Sequence, residues 1–293
     1  MNEDEQSLWK QATLAHVFAA IAAHPPLNEC LIFKGAQVLR RRLDGFRRGS
    51  VDIDATQRRP LSEELGSKDA VEAFLSKQFS TAVRTYFDAQ APVRFELVGV
   101  TVKPRPRGDH PRGWGGYEVR IRLRDALRPE VSQFPALGVD LAAAERLMHS
   151  SVEDLDVRGH RVDAYSVTRM AGEKLRAILQ SLPAYREKLG VPRRAVRVKD
   201  VYDVAFMHSR KPISDVEFWS VVATEFREAC RVRAVDCLGI ESFSQDLLAM
   251  KSSYENDRTL PGDISFEDAW TVIERIVEFL EARGVVPFAS PDE

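Results

Sequence analysis

Asp52 and Asp54 stand two residues apart in Ser50-Val51-Asp52-Ile53-Asp54, a spacing at which two carboxylates can act together. From Ser50 to Thr56 polar and apolar residues alternate, with Val51, Ile53 and Ala55 on one side and Ser50, Asp52 and Asp54 on the other. This period predicts a strand with one face in the core and both carboxylates projecting from the other. Hard oxygen ligands so placed suit one magnesium ion or a pair. Two divalent ions about 4 Å apart can activate an attacking hydroxyl and stabilise the leaving oxygen of an in-line displacement. An Asp-x-Asp pair also occurs in turns and caps, so its surroundings have to decide.

Upstream, Lys34-Gly35-Ala36 lies where a short apolar run, Cys30 to Phe33, turns into a helix, Ala36 to about Leu43. A glycine there lets backbone N–H groups and a helix N-terminus approach phosphates closely. Taken alone it is equally an ordinary tight turn. A glycine turn, a helix and then an acidic strand is the order used by the polymerase-β-like nucleotidyltransferase fold. The sequence has neither GxxxxGK[ST] nor GxGxxG, which argues against P-loop and Rossmann readings.

Around these motifs the pattern predicts an α+β domain over residues 1–165 with a mixed sheet, then a helical domain over 166–293. Helices are expected at Ser7–Ala23, Lys68–Ala89, Ser166–Ser181, Val198–His208, Asp215–Cys230, Glu241–Tyr254 and Ser265–Arg283. Strands are expected at Val93–Val102 and Tyr117–Leu123, paired across an Arg105–Gly116 loop, with weaker ones at Ala136–Leu141 and Arg161–Tyr165. Trp114 in that loop, flanked by glycines and near arginines, reads as a hairpin tip or as a base-stacking platform.

At 293 residues, 44% hydrophobic and 29% charged, the chain has the composition of a globular protein of one large domain or two. Its most apolar early stretch, Thr13–Ala23, contains His16, and no run nears the roughly 20 apolar residues of a membrane span. The acidic Met1–Glu5 start is unlike a signal peptide, so a cytoplasmic location is expected. Three cysteines without CxxC and six histidines without HExxH leave oxygen ligands as the expected metal donors. The net charge of −2 is unevenly spread. Basic clusters occur at Arg40–Arg42 with Arg47 and Arg48, at Lys103, Arg105, Arg107 and Arg112, and at Arg186, Lys188, Arg193, Arg194, Arg197 and Lys199. They are either solvated faces or a local polyanion site. The stretch after Tyr254 is acidic, with Asp263, Glu267, Asp268, Glu274, Glu278 and Glu281.

Phe33-Lys34-Gly35 with Arg48-Gly49-Ser50-Val51-Asp52-Ile53-Asp54 resembles the FKGG(T/S)…RxSxDID signature of the AbiEii/MenA-like nucleotidyltransferase toxins. Tyr165-Ser166 and Glu173-Lys174-Leu175-Arg176-Ala177 resemble a second motif of that family, and Lys199-Asp200-Val201-Tyr202-Asp203 a third. Three motifs in order span more than half the chain. The second glycine and the following hydroxyl of the first motif are Ala36 and Gln37 here, and the basic residue of the third is Lys199 rather than arginine.

The resemblance implies magnesium-dependent transfer of a nucleoside monophosphate from a nucleoside triphosphate, with a two-ion site on Asp52 and Asp54. The implied acceptor is RNA, in some members the tRNA 3′ end, and the implied partner is a cognate antitoxin. Asp140 is our choice for a third carboxylate and Glu118 the second choice. Lys34, Gly35, Ser50 and Arg48 are expected to bind nucleotide or phosphate. Lys174 either snorkels to solvent or meets the triphosphate as the helical domain closes over the site. Asp200 and Asp203 share a helix side, and one of them is implied to organise the site. Two alternatives stay open: nucleotidylation of a protein side chain, and an inactive module that binds nucleotide or RNA.

Overall fold

The computed structural model describes residues 1–106, 114–190 and 195–289. The alternation around Asp52 becomes β2 (Asp52–Gln57), the middle strand of a seven-stranded mixed sheet. The other strands are β1 (Leu31–Lys34), β3 (Phe95–Arg105), β4 (Gly116–Asp125), β5 (Leu137–Ala142), β6 (Val152–Val157) and β7 (His160–Tyr165). Their spatial order is β3-β4-β5-β2-β1-β7-β6. β2 runs antiparallel to β1 and parallel to β5, while β1 is parallel to β7. The fold class is the expected α+β with a mixed sheet.

The chain divides into two compact units. The first comprises Met1–Arg41, Gly49–Leu147 and Val152–Tyr165, and the second Arg42–Arg48, Met148–Ser151 and Ser166–Glu293. In the first, α1 (Glu3–Ala22) opens with a capping box in which Asn2 and Glu5 bond each other's backbone N–H. α1 and α5 (Lys68–Asp88) pack together, with α5 against β3 and α1 against β2 and β7. Phe18, Phe33, Phe79, Phe87 and Phe95 are fully buried in this unit. Each such side chain stabilises the fold by about 1.5–3 kcal/mol through removal from water. Short helices α2 (Pro25–Cys30), α3 (Gly35–Arg42) and α4 (Leu61–Leu65) complete the connections.

The second unit is helical: α6 (Val167–Gln180), α7 (Pro183–Leu189), α8 (Val198–Arg210), α9 (Val216–Val232), α10 (Ile240–Phe243), α11 (Leu247–Glu255) and α12 (Phe266–Ala282). α6 packs on α8 and α9, and α12 on α8. The α6–α9 approach needs Gly172, where a Cβ would come 2.7 Å from the Phe226 backbone nitrogen. Arg169 on α6 is fully buried there, bonded to Glu173 and to the equally buried Glu225, which also accepts from the Ser151 hydroxyl.

Several elements differ from the sequence reading. The expected Glu241–Tyr254 helix is two helices broken at 244–246, where Ser244 ends α10 and Asp246 begins α11. Strand β6 was not predicted: its outward Glu153, Asp154 and Asp156 conceal a period carried by few apolar residues. Lys103 and Arg105 belong to β3 rather than to a loop. Val51 is 42% exposed instead of sharing the buried side of Ile53 and Ala55, because strand pairing begins only at Asp52.

Candidate active site

Within the first unit, Asp52 and Asp54 leave β2 on one face while Ile53 and Ala55 fill the core behind them. β5 lies beside β2 in parallel register, pairing Asp54 with Asp140 and Asp52 with Gly138. One carboxylate oxygen from each of Asp52, Asp54 and Asp140 comes within 4.8 Å of the others. Burial raises the Asp140 carboxyl above the usual range, and the neighbouring Asp52 and Glu118 charges push it the same way against the pull of Arg105. Like charges gathered on hard oxygen donors form a cluster that could bind a metal ion.

Gly35 explains how Asp54 fits. At φ +75° it opens α3 in a backbone state that disfavours side chains. A Cβ there would sit 2.0 Å from Asp54 Oδ2. The Asp54 carboxylate therefore packs directly against this turn, beside the positive end of the helix. Lys34 is paired with Asp54 across the β1–β2 ladder, and its ammonium lies 3.6 Å from the buried Glu145 and over the Tyr165 ring. The Tyr165 hydroxyl donates to that same Glu145 oxygen (2.6 Å). Glu145 carried no signal in the sequence, because a lone acid in the 142–148 stretch matches no motif. Ser50 precedes the strand and donates to the Asp52 carbonyl (2.9 Å) and toward its carboxylate (3.2 Å), which orients that side chain.

Glu118, the second candidate for a third acid, faces cations instead. Arg105 lies 2.6 Å from it and Arg120 bonds the same oxygen. Burial alone would raise its carboxyl, but bonds and charges from Arg105 and Arg120 outweigh that and hold it below the ordinary range. Trp114 is half-buried. Arg107 and Arg112, with Arg193 and Arg194 of the third basic cluster, lie outside the described residues.

The remaining sequence candidates meet in the second unit. Lys174 on α6 donates to Asp200 (2.8 Å) and lies 2.5 Å from Asp203, both on α8. Arg48 grips Asp203 with two parallel bonds of 2.6 and 2.9 Å, and Arg197 donates to Asp200 at 2.6 Å. Desolvation would lower the Lys174 ammonium, yet the two aspartates raise it above its usual value. Asp200 is depressed: burial opposes ionisation, but Arg197 and Lys174 prevail. Lys174 thus neither snorkels nor stands alone. Asp200 and Asp203 both hold Lys174, and Asp203 also holds Arg48.

With this geometry in view, similarity to known proteins can be read. A family profile described as "Nucleotidyl transferase AbiEii toxin, Type IV TA system" matches residues 16–279. The chain belongs to the AbiEii nucleotidyltransferase family. It is accordingly a nucleotidyltransferase. JHP933 from Helicobacter pylori has a similar structure at 16% identity and a TM-score of 0.52, covering 95% of this chain and 93% of that one. A second H. pylori structure, of a candidate nucleotidyltransferase, aligns at 14% identity and a TM-score of 0.51 over 97% of both chains. At these identities the likeness speaks for the fold. No protein of curated function matches. Among the described residues no helix is long and apolar enough to cross a membrane.

Proposed function

We propose that this AbiEii-family chain is a magnesium-dependent toxin that transfers a nucleoside monophosphate from a nucleoside triphosphate to an RNA acceptor, the tRNA 3′ end. The observation that carries the reading is the convergence of Asp52, Asp54 and Asp140 on one face of the sheet beside the Gly35 turn. The three carboxylates offer the all-oxygen donor set that magnesium prefers. When bound there, magnesium would supply Lewis-acid stabilisation of charge on the reacting phosphate and the departing pyrophosphate.

The chain's own residues supply the rest. Asp52, oriented by Ser50, and Asp54, held at the start of α3, keep their oxygens fixed before substrate arrives. The acceptor hydroxyl attacks the α-phosphorus, a new P–O bond forms, and the bond to the leaving pyrophosphate breaks. A carboxylate of the cluster polarises that hydroxyl, with Asp54 and Asp140 as the candidates. Lys34, Gly35, Ser50 and Arg48 are assigned to the nucleotide and its phosphates. Lys174, Asp200 and Asp203 of the helical domain (residues 166–293) are assigned to the reaction as well, with the Lys174 ammonium kept protonated by its neighbours. An antitoxin, a cytoplasmic location and the two-ion stoichiometry follow from the same reading.

The test is incubation of the purified protein with unfractionated RNA, magnesium and each α-labelled nucleoside triphosphate in turn. Label entering a tRNA-sized band, and absent with Asp54→Asn, supports the proposal. Label on protein would replace RNA by a protein acceptor, and no label despite nucleotide binding would mean an inactive module.

A further inference from the structure

We infer that the open face of β4 beside the acidic cluster is a track for the RNA backbone, leading from Arg124 through Arg122 to Arg120 at the metal-binding acids. The inference rests on the RNA-acceptor reading above and adds where the acceptor is held.

β4 alternates without a break. Tyr117, Val119, Ile121 and Leu123 are buried, while Glu118, Arg120, Arg122 and Arg124 point the other way. Register fixes which way that is. Glu118 pairs with Asp140 and Arg120 with Gly138, which itself pairs with Asp52. A Cβ on Gly138 would lie 3.6 Å from both Arg120 Nη1 and Asp52 Cβ, so the guanidinium reaches over a bare backbone toward the acid. The cationic row thus starts at the carboxylates. β3 supplies Lys103 opposite Glu118, Gly99 opposite Arg122 and Glu96 opposite Arg124, with Arg105 at its end. On the open face of these two strands five cations (Lys103, Arg105, Arg120, Arg122, Arg124) stand with two acids (Glu96, Glu118), a net of +3, and the third acid of the strands, Asp125, is buried on the other side.

The pairing within the row is uneven. Arg105 and Arg120 share Glu118, and Arg124 meets Glu96 where both are well exposed and water screens them. Lys103 and Arg122 have no ion pair among the described residues. The plain alternative is a charged strand guarding a sheet edge against aggregation. β4 is not an edge, because β3 covers it on one side and β5 on the other. Alternate strand residues recur at about 6.8 Å. That repeat suits successive phosphates of an extended strand. The row carries no aromatic side chain for base stacking, so it fits the backbone rather than a base sequence. An acidic protein surface would match the charge, but it has no reason to abut the acids that receive an acceptor hydroxyl.

The experiment uses the full chain carrying Lys103→Gln and Arg122→Gln, both outside the catalytic set. Filter binding of end-labelled unfractionated tRNA is measured over a salt series, beside calorimetric binding of nucleoside triphosphate with magnesium. Two lost phosphate contacts should weaken tRNA binding about tenfold and reduce the magnitude of the log–log salt slope by about 1.4. Nucleotide binding should be unchanged, as should the melting temperature. If wild type binds and labels tRNA and the variant does so equally well, the track is overturned, the acceptor reading stands, and the face is left to an acidic protein. Equal loss of nucleotide binding would also overturn it, by assigning these cations to the triphosphate. Wild type that neither binds nor labels tRNA would overturn both.

Discussion

The acidic face of the first unit and the ion-pair network of the second use similar residues to opposite ends. On the first, Asp52, Asp54 and Asp140 are half-exposed carboxylates brought within 4.8 Å of one another. In the second, Asp200 and Asp203 are buried and each is matched by cations, with Lys174 shared between them and Arg197 and Arg48 outside. Gathering like charges near water raises a proton affinity and favours a cation from outside. Alternating opposite charges in the interior leaves nothing for a small ion to neutralise. A lysine and two aspartates in two of the family's motifs are thus taken up by the protein's own ion pairs, while three aspartates gather where they could bind a metal ion.

That contrast can be broken from either side. The largest effect expected is on turnover: Asp54→Asn should cut nucleotidyl transfer by at least about a hundredfold at unchanged stability, read by label incorporation beside a melting curve. Lys174→Met should act first on stability instead, because it leaves two buried carboxylates facing each other. Loss of one partner of a buried pair costs about 3–5 kcal/mol, to be read from the shift in denaturant midpoint. An Asp54-like phenotype, with full stability and no turnover, would erase the distinction drawn here.

A subtler test is pH. Asp200 is depressed in the folded chain, so its contribution is present above the ordinary carboxylate range, near pH 4, and declines as pH falls below it. Stability of the wild type should drop through that acid window, and Asp200→Asn should be less stable at neutral pH but flatter across it. Asp140 has the opposite sign. A raised carboxyl favours the protonated folded state, so its ionised form is a cost at neutral pH in the absence of metal. Asp140→Asn should therefore raise the metal-free melting temperature, on the order of 1 °C, while abolishing the stabilisation that added magnesium gives wild type. Smallest of all, Arg197→Gln should cost less than about 1 kcal/mol, because its side chain is 59% exposed and water already screens it.

Much of this was legible in the sequence where the periodicity was strong. The β2 alternation announced which face Asp52 and Asp54 take, and the Tyr117–Leu123 run announced the strand that became β4. Asp140 was readable as an acid on a strand, though not its neighbour, since the parallel pairing of β5 with β2 joins residues far apart in the chain. The same limit hid Glu145, which meets Lys34 only through tertiary packing, and the Arg48–Asp203 pair, whose members lie 155 positions apart. Val51 was misassigned because alternation cannot tell where pairing starts. The break between α10 and α11 was hidden because Ser-Gln-Asp carries no glycine or proline, so helical period seemed to continue across it.

Asp52, Asp54 and Asp140 are proposed to form the divalent-metal site of the reaction. The most direct test is titration of the full chain with Mn²⁺, followed by electron paramagnetic resonance as free ion is lost. Wild type should bind saturably and in competition with Mg²⁺, and Asp54→Asn should weaken binding at least about tenfold, a difference of about 1.4 kcal/mol. Binding of equal strength in Asp52→Asn, Asp54→Asn and Asp140→Asn would contradict the account.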